Sequence, residues 1–317
     1  MNTSAFHARL AVLVSLGAIL TLASCGGGGG SDGAGTGTLS LQITDGPVET
    51  AKHVYVQFSG LELHAADGQR TTLYYCQDPA DATLTTISEG PCTTPAAPKR
   101  FDLLALNSGN ADFLLEDFTL PAGRYNWIRL MVDTDGEDDS CIVLVVNGEC
   151  EELTIPSGAQ TGLKLNRGFD VPAGGNADFT IDFDLRKSVH VTGTGEYMLR
   201  PTLRLADNSM TGAIAGTVDP SLVPAGCTPA VYVYEGSGVT PDDIDADPNT
   251  PDPVTTATVK LDNGIYRYKA AYLEAGSYTI AFTCDAAADD LMLNDALTFS
   301  GATTLSVTAK TVTVHNF

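Results

Sequence analysis

Short alternations of apolar and polar residues recur from residue 38 to the C-terminus, and this period of two constrains the fold more than any other feature. It runs through Thr38-Leu-Ser-Leu-Gln-Ile43, Val54-Tyr-Val-Gln-Phe58, Trp127-Ile-Arg-Leu-Met-Val132, Cys141-Ile-Val-Leu-Val-Val146 and Phe179-Thr-Ile-Asp-Phe183. Val231-Tyr-Val-Tyr234, Tyr266-Arg-Tyr268, Tyr278-Thr-Ile-Ala-Phe282 and Leu305-Ser-Val-Thr308 repeat it. Successive side chains of a strand leave opposite faces, so each run predicts a strand, and Gly, Pro, Asn and Asp punctuate them. The one helical stretch expected is Phe101 to Leu106. Strands without amphipathic helices between them predict an all-β chain of antiparallel sandwiches.

A recurring unit joins the strands. Leu120-Pro-Ala-Gly-Arg-Tyr125, Val171-Pro-Ala-Gly-Gly175 and Leu273-Glu-Ala-Gly-Ser-Tyr278 each set Ala-Gly between an apolar residue and the next strand. Proline fixes φ and glycine supplies positive φ, so a reversal is expected at each. A polar stretch from Ala206 to Thr211 separates two strand-rich blocks. Two tandem sandwich domains are expected, over 37–207 and 211–317.

The first 24 residues have the parts of a secretory signal: Arg9 with His7, an apolar run from Leu10 to Leu22, then Ala23-Ser24. Thirteen residues of helix span only about 20 Å, short of a bilayer core of about 30 Å. Leu22-Ala23-Ser24-Cys25 resembles the lipobox of bacterial lipoproteins, in which cleavage precedes the Cys and its thiol and freed amine are acylated. The resemblance implies lipidation of Cys25, a membrane partner held through that lipid, and, with Gly26 following, the outer membrane. Residues 25–36 are nearly all Gly, Ser, Thr and Ala and read as a flexible tether.

Cleavage before Cys25 removes Arg9 and no acidic residue, taking the net charge from −22 to −23. Such a body repels phosphate backbones, which argues against a nucleic-acid partner. With 43% apolar and 18% charged residues, the chain is globular. Setting Cys25 aside leaves six cysteines, an even number for an oxidising compartment: Cys76, Cys92, Cys141, Cys150, Cys227 and Cys284. Cys76/Cys92 close a short excursion, and Cys227/Cys284 stand alone in the last third. Cys141 and Cys150 flank Asn147-Gly148. A two-residue turn there would set Cys150 opposite Val145 and make a 141–150 bridge too long, so either register or pairing must differ.

Two families are recognisable. Gly212-Ala-Ile-Ala-Gly216-Thr-Val218, Asp262-Asn-Gly264-Ile-Tyr266 and Leu273-Glu-Ala-Gly276-Ser-Tyr278-Thr-Ile280 resemble transthyretin-like, carboxypeptidase regulatory-like β-sandwiches. Starch-binding-like modules share that fold, and the resemblance implies no catalysis. Gly37-Thr-Leu-Ser-Leu-Gln-Ile-Thr-Asp45-Gly-Pro47, Val54 to Gly60, Pro156 to Leu165 and Asp182-Phe-Asp184-Leu-Arg-Lys-Ser188 resemble a family of bacterial lipoproteins known as domain of unknown function 4382. That resemblance brings no assigned functional residues.

Catalytic signatures are absent. The one Gly-x-Ser-x-Gly match, Gly29 to Gly33, falls in the glycine-rich tether and not at the strand-to-helix turn an elbow needs, and His53, His64, His190 and His315 are scattered rather than paired. Asp182 and Asp184 are expected on one strand face with Arg186, as a salt-bridged row. Two acidic loops suggest Ca²⁺. Asp243, Asp245 and Asp247 alternate and Asp252 follows, but Pro248 stands where a hand-type loop needs Gly. In Asp133, Asp135, Asp138 and Asp139 the intervening Gly136 comes too early. Plain acidic loops are the other reading. For carbohydrate, Tyr232 with Tyr234 on one strand face and the sole indole, Trp127, offer stacking surfaces. The favoured alternative is that these tyrosines fill the sandwich core beside Val231, Val233 and Ile265.

The function expected from the sequence is a non-enzymatic, lipid-anchored surface module for binding or adhesion, with a glycan or a surface protein as partner. The alternative is a structural envelope protein that supports a partner, with an unrecognised enzyme ranked last.

Overall fold

A computed structural model describes residues 35–46, 51–133, 140–156, 158–245, 247 and 249–317. Over these the chain is all-β and builds sandwiches, as the alternations require. Cys25 and the signal segment lie outside the described residues, as do Asp135, Asp138 and Asp139.

One sheet of the N-terminal half orders its strands Leu203–Asp207, Asn176–Asp184, Thr36–Gly46 and Asp112–Pro121. Facing it is an eleven-stranded sheet that carries Leu163–Leu165, Gly123–Val132, Ala51–Ala65, Cys141–Leu144 and Cys150–Thr154 along its path. Their inward residues form one core, in which Leu39, Leu41, Ile43, Val54, Val56, Phe58, Ile128 and Leu130 are all fully buried. Each such side chain stabilises the fold by about 1.5–3 kcal/mol. After Phe58 the inward phase shifts to Leu61 and Leu63, because the ladder with Gly123–Val132 slips between Phe58 and Gly60. Glycine is needed at that bulge, since a Cβ on Gly60 would lie 2.0 Å from the Leu73 carbonyl oxygen.

In the C-terminal half, Lys260–Asp262, Ile265–Glu274, Thr211–Val218 and Val312–Val314 form one sheet. Thr255–Thr258, Ala230–Glu235, Gly276–Thr283 and Phe299–Val307 form the other. Ile214, Tyr268, Val231, Val233 and Ile280 meet between them. The strand Val312–Val314 lies so close to its neighbour that a Cβ on Gly216 would fall 1.5 Å from the His315 carbonyl oxygen.

The three Ala-Gly units turn out to be corners rather than hairpin turns. Each carries the chain from one sheet of a sandwich to the other: Asp112–Pro121 to Gly123–Val132, Phe169–Val171 to Asn176–Asp184, and Ile265–Glu274 to Gly276–Thr283. Two of them share a lock. The Tyr125 hydroxyl donates to the Pro121 carbonyl at 3.0 Å, and the Tyr278 hydroxyl donates to the Glu274 carbonyl at 2.9 Å. Both bonds span four residues, with the tyrosine two places after the glycine, so Gly-x-Tyr is the sequence signature of a pinned corner.

The sheets are mixed rather than purely antiparallel. Thr38–Gly46 runs parallel to Asn176–Asp184, and Ala213–Ala215 runs parallel to Val312–Val314. The corner at Pro172–Gly175 explains the first case. Its Gly174 N–H donates to Thr36 and its Gly175 carbonyl accepts from Thr38, so both strands set out from the same end. The expected helix at Phe101–Leu106 is also corrected. Lys99–Asp102 is a strand, and only Leu103–Leu106 winds, as a 3₁₀ turn. No helix of the described residues is long and apolar enough to cross a membrane.

All three cysteine pairs are bridged: Cys76–Cys92, Cys141–Cys150 and Cys227–Cys284. The tension at Cys141/Cys150 resolves through register. Val143, not Val145, faces Cys150, which leaves a longer loop and a Cα separation of 5.6 Å between the bridged residues.

Candidate functional site

Ile128 and Leu130 point into the core, so the alternate residues Trp127 and Arg129 stand on the outer face of the eleven-stranded sheet. Register brings their neighbours alongside. His64 faces Trp127, Glu62 faces Arg129 and Lys164 faces Arg129, while Arg70 faces His64. The His64 ring stacks on the indole at 4.7 Å between centroids, nearly parallel. Around the same indole lie Lys164 Nζ at 4.4 Å, the Arg129 guanidinium at 5.1 Å and that of Arg70 at 5.8 Å. Such contacts hold cations against an aromatic face.

Buried Glu62 fixes the two guanidinium groups, reaching Arg129 at 3.2 Å and Arg70 at 3.4 Å. Three cations against one carboxylate leave this strip positive on a chain whose net charge is −22. Guanidinium donors oriented in this way suit an anion that offers two acceptor oxygens, such as a carboxylate or a sulfate. Lys164, exposed, lies over an indole that is itself half-buried, and an indole is a side chain on which a sugar's C–H face can stack. The sequence singled out Trp127 as a candidate stacking surface. Its cationic surround was not legible, because Arg70, Arg129 and Lys164 come from three strands.

Tyr232 and Tyr234 are corrected. Their strand exists, but both side chains are buried, at 0% and 1% exposure. They pack with Ile244, Ala286 and Phe299 in a small separate core on the far side of their sheet, where the loops after Glu235 and Thr283 cover them. They present no face to a sugar.

The alternating aspartates do not converge either. Asp245 accepts from the Asp247 N–H, Thr250 Oγ1 and Asn294 Nδ2. Asp247 accepts from Asn249, and Asp252 accepts from the Asp245 N–H while facing Lys187 Nζ at 3.3 Å. These carboxylates fasten their own loop. In the other acidic loop, Asp133 accepts from Gln57 Nε2 at 2.9 Å.

Asp243 behaves differently. It is 1% exposed, and its carboxylate lies with those of Asp289 and Asp295, one oxygen of each within 4.8 Å of the others. Burial holds the Asp243 carboxyl above the ordinary carboxylate range, and Asp242 and Asp245 push the same way, against the Asp295 N–H that it accepts. Arg186 is corrected as well. The strand ends at Asp184, Arg186 lies on the short helix Leu185–Ser188, and it pairs with Asp289, while Arg204 takes Asp182 at 2.6 Å. Arg186, His190, Arg200, Asp289, Asp295 and Met292 line a cleft of about 610 Å³. Sequence reading missed Asp289 and Asp295, although the acidic run from Asp285 to Asp295 was there to be weighed.

The family described as Domain of unknown function (DUF4382) matches residues 36–201. No curated protein matches the chain. Among solved structures, a leucine-rich repeat protein from Bacteroides thetaiotaomicron is similar at 13% identity and TM-score 0.19, over 89% of this chain and 26% of its own. The Bacillus anthracis TIE protein is similar at 10% identity and TM-score 0.20, over 89% of this chain and 51% of its own. GBS52, the minor pilin of Streptococcus agalactiae, is similar at 11% identity and TM-score 0.19, over 88% of this chain and 94% of its own. The chain thus spans about a quarter and about half of the first two. At these scores the superpositions carry no inference about its role.

Proposed function

The chain belongs to the family described as Domain of unknown function (DUF4382), and from that premise we propose a lipid-anchored envelope module that binds an acidic carbohydrate at the strip around Trp127. The lipobox-like Leu22 to Cys25 supports the anchor, on the outer membrane by the sign of Gly26. The glycine-rich tether after it suits a body held clear of the lipid.

The observation that carries the ligand is the cationic surround of the sole indole. Three basic side chains converge on one aromatic ring in a protein whose charge otherwise repels anions. Uronic and sialic acids combine the two features the strip complements, a carboxylate and an apolar ring face. Two of the three cations are held by a buried carboxylate, so little ordering is required on binding.

The test is an array of acidic and neutral glycans probed with the full chain in detergent. Acidic glycans should be retained, and less so as salt rises, since exposed charges are screened. Trp127→Ala and Arg129→Gln should each weaken binding about tenfold or more, roughly 1.4 kcal/mol. Equal retention of neutral and acidic glycans, or full binding by Trp127→Ala, would overturn the reading.

A further inference from the structure

We propose that Asp243, Asp289 and Asp295 form a binding site for one hard divalent cation, Ca²⁺ by preference, which ties two loops of the C-terminal sandwich together. The site is independent of the glycan strip, which lies on the other half of the chain.

The three carboxylates come from separate places. Asp243 lies in the loop after Ala230–Glu235, Asp289 follows the 3₁₀ turn Ala286–Ala288, and Asp295 sits six residues further on. Their oxygens lie within 4.8 Å of one another. Oxygens that share one Ca²⁺ at about 2.3–2.6 Å are at most about 5 Å apart, so the spacing fits a single ion.

The hydrogen bonds at the site are incomplete in one respect. Asp289 Oδ1 accepts from the Ile244 N–H at 3.1 Å, and its Oδ2 accepts from the Tyr232 hydroxyl and from Arg186 Nη1. Asp295 Oδ2 accepts from the Asp290 N–H at 2.7 Å. Asp243 Oδ2 accepts from the Asp295 N–H, but Asp243 Oδ1 meets no hydrogen-bond donor, in a residue that is 1% exposed. A buried carboxylate oxygen left bare is costly, and a cation is the partner that satisfies it.

Charge points the same way. Three carboxylates face the Arg186 guanidinium, which leaves negative charge in excess for a divalent ion to offset. The donor set is all oxygen, with no His or Cys in the cluster, which selects a hard cation over zinc. Asp289 and Asp295 also line the 610 Å³ cleft, which gives the ion and its remaining waters a way in.

The test compares the full chain, purified in detergent, with CaCl₂, with MgCl₂ and with chelator. One Ca²⁺ per chain should survive dialysis into chelator-free buffer. Ca²⁺ at about a hundredfold its Kd should raise Tm by about 5 °C. Asp243→Asn and Asp295→Asn should lose both effects, whereas Asp247→Asn should keep them. If Asp243→Asn does not fold, the half-buried Asp295 carries the test alone through Asp295→Asn. No retained ion and an unmoved Tm in the parent chain, or an unchanged Ca²⁺ response in Asp295→Asn, would overturn the site. Loss of the response in Asp247→Asn would overturn the ligand set.

Discussion

Arg186 leaves the N-terminal sandwich and pairs with Asp289 of the C-terminal one at 3.2 Å, with 7% and 0% of the two side chains exposed. Tyr232 binds both partners through its hydroxyl. A buried pair of this kind adds little net stability, but removing one partner strands the other charge. Arg186→Met should therefore cost about 3–5 kcal/mol in a urea melt of the full chain. A loss below about 1 kcal/mol would mean that water reaches Asp289.

Tyr232→Phe isolates the hydroxyl from the ring. It should cost about 1–2 kcal/mol, because the ring's packing against Phe299 remains. Glycan retention should not change, since Tyr232 is buried far from any sugar-binding role. A loss of retention without a loss of stability would return this tyrosine to the binding surface.

The burial of Tyr232 also shows where the sequence stops informing. Alternation located the strand Ala230–Glu235 but could not say that both of its faces are covered, Val231 and Val233 by the facing sheet and Tyr232 and Tyr234 by loops. Strand positions such as Leu39, Leu41 and Ile43 were legible because their period is local. The parallel pairing of that strand with Asn176–Asp184 was not, because it joins residues 138 positions apart. Asp243 was singled out through local spacing, whereas Asp289 and Asp295, whose carboxylates lie beside it, were not, because two loops bring them together. The Cys141–Cys150 bridge depended on a two-residue change of register that the Asn147-Gly148 signal obscured.

The corner tyrosines allow a paired experiment. Tyr125→Phe and Tyr278→Phe each delete one hydroxyl bonded to a backbone carbonyl four residues back. Each should cost about 1 kcal/mol, and the two effects should add because the sites lie in different sandwiches. Urea midpoints of the two single variants and the double variant give the answer directly.

Asp45 should govern part of the pH dependence. Burial raises its carboxyl well above the ordinary range, with the Asp182 and Asp184 charges adding to the effect. Its Oδ1 accepts from the Leu185 N–H at 3.3 Å, while Oδ2 meets no donor. Between the ordinary carboxylate pKa of about 3.9 and the raised folded value, the native state holds the proton that the unfolded chain has released. Stability from this group is therefore full at low pH and declines as pH rises through that window. Asp45→Asn should flatten the decline and exceed the parent chain at pH 7, read as urea midpoints from pH 3 to 8. An unchanged slope would assign the dependence to other groups.

The strand Thr36–Gly46 is the first element of the described chain, and it lies inside its sheet, flanked by Asn176–Asp184 on one side and Asp112–Pro121 on the other. A pull applied from the N-terminal side runs along that strand and loads both ladders of hydrogen bonds at once, in shear. Bonds loaded this way must fail together, whereas a strand peeled from an edge gives them up one at a time. Forced rupture is set by the unfolding barrier rather than by equilibrium stability. A body pulled through this strand against a ligand gripped on the neighbouring sheet would resist tension at the first strand of its described residues.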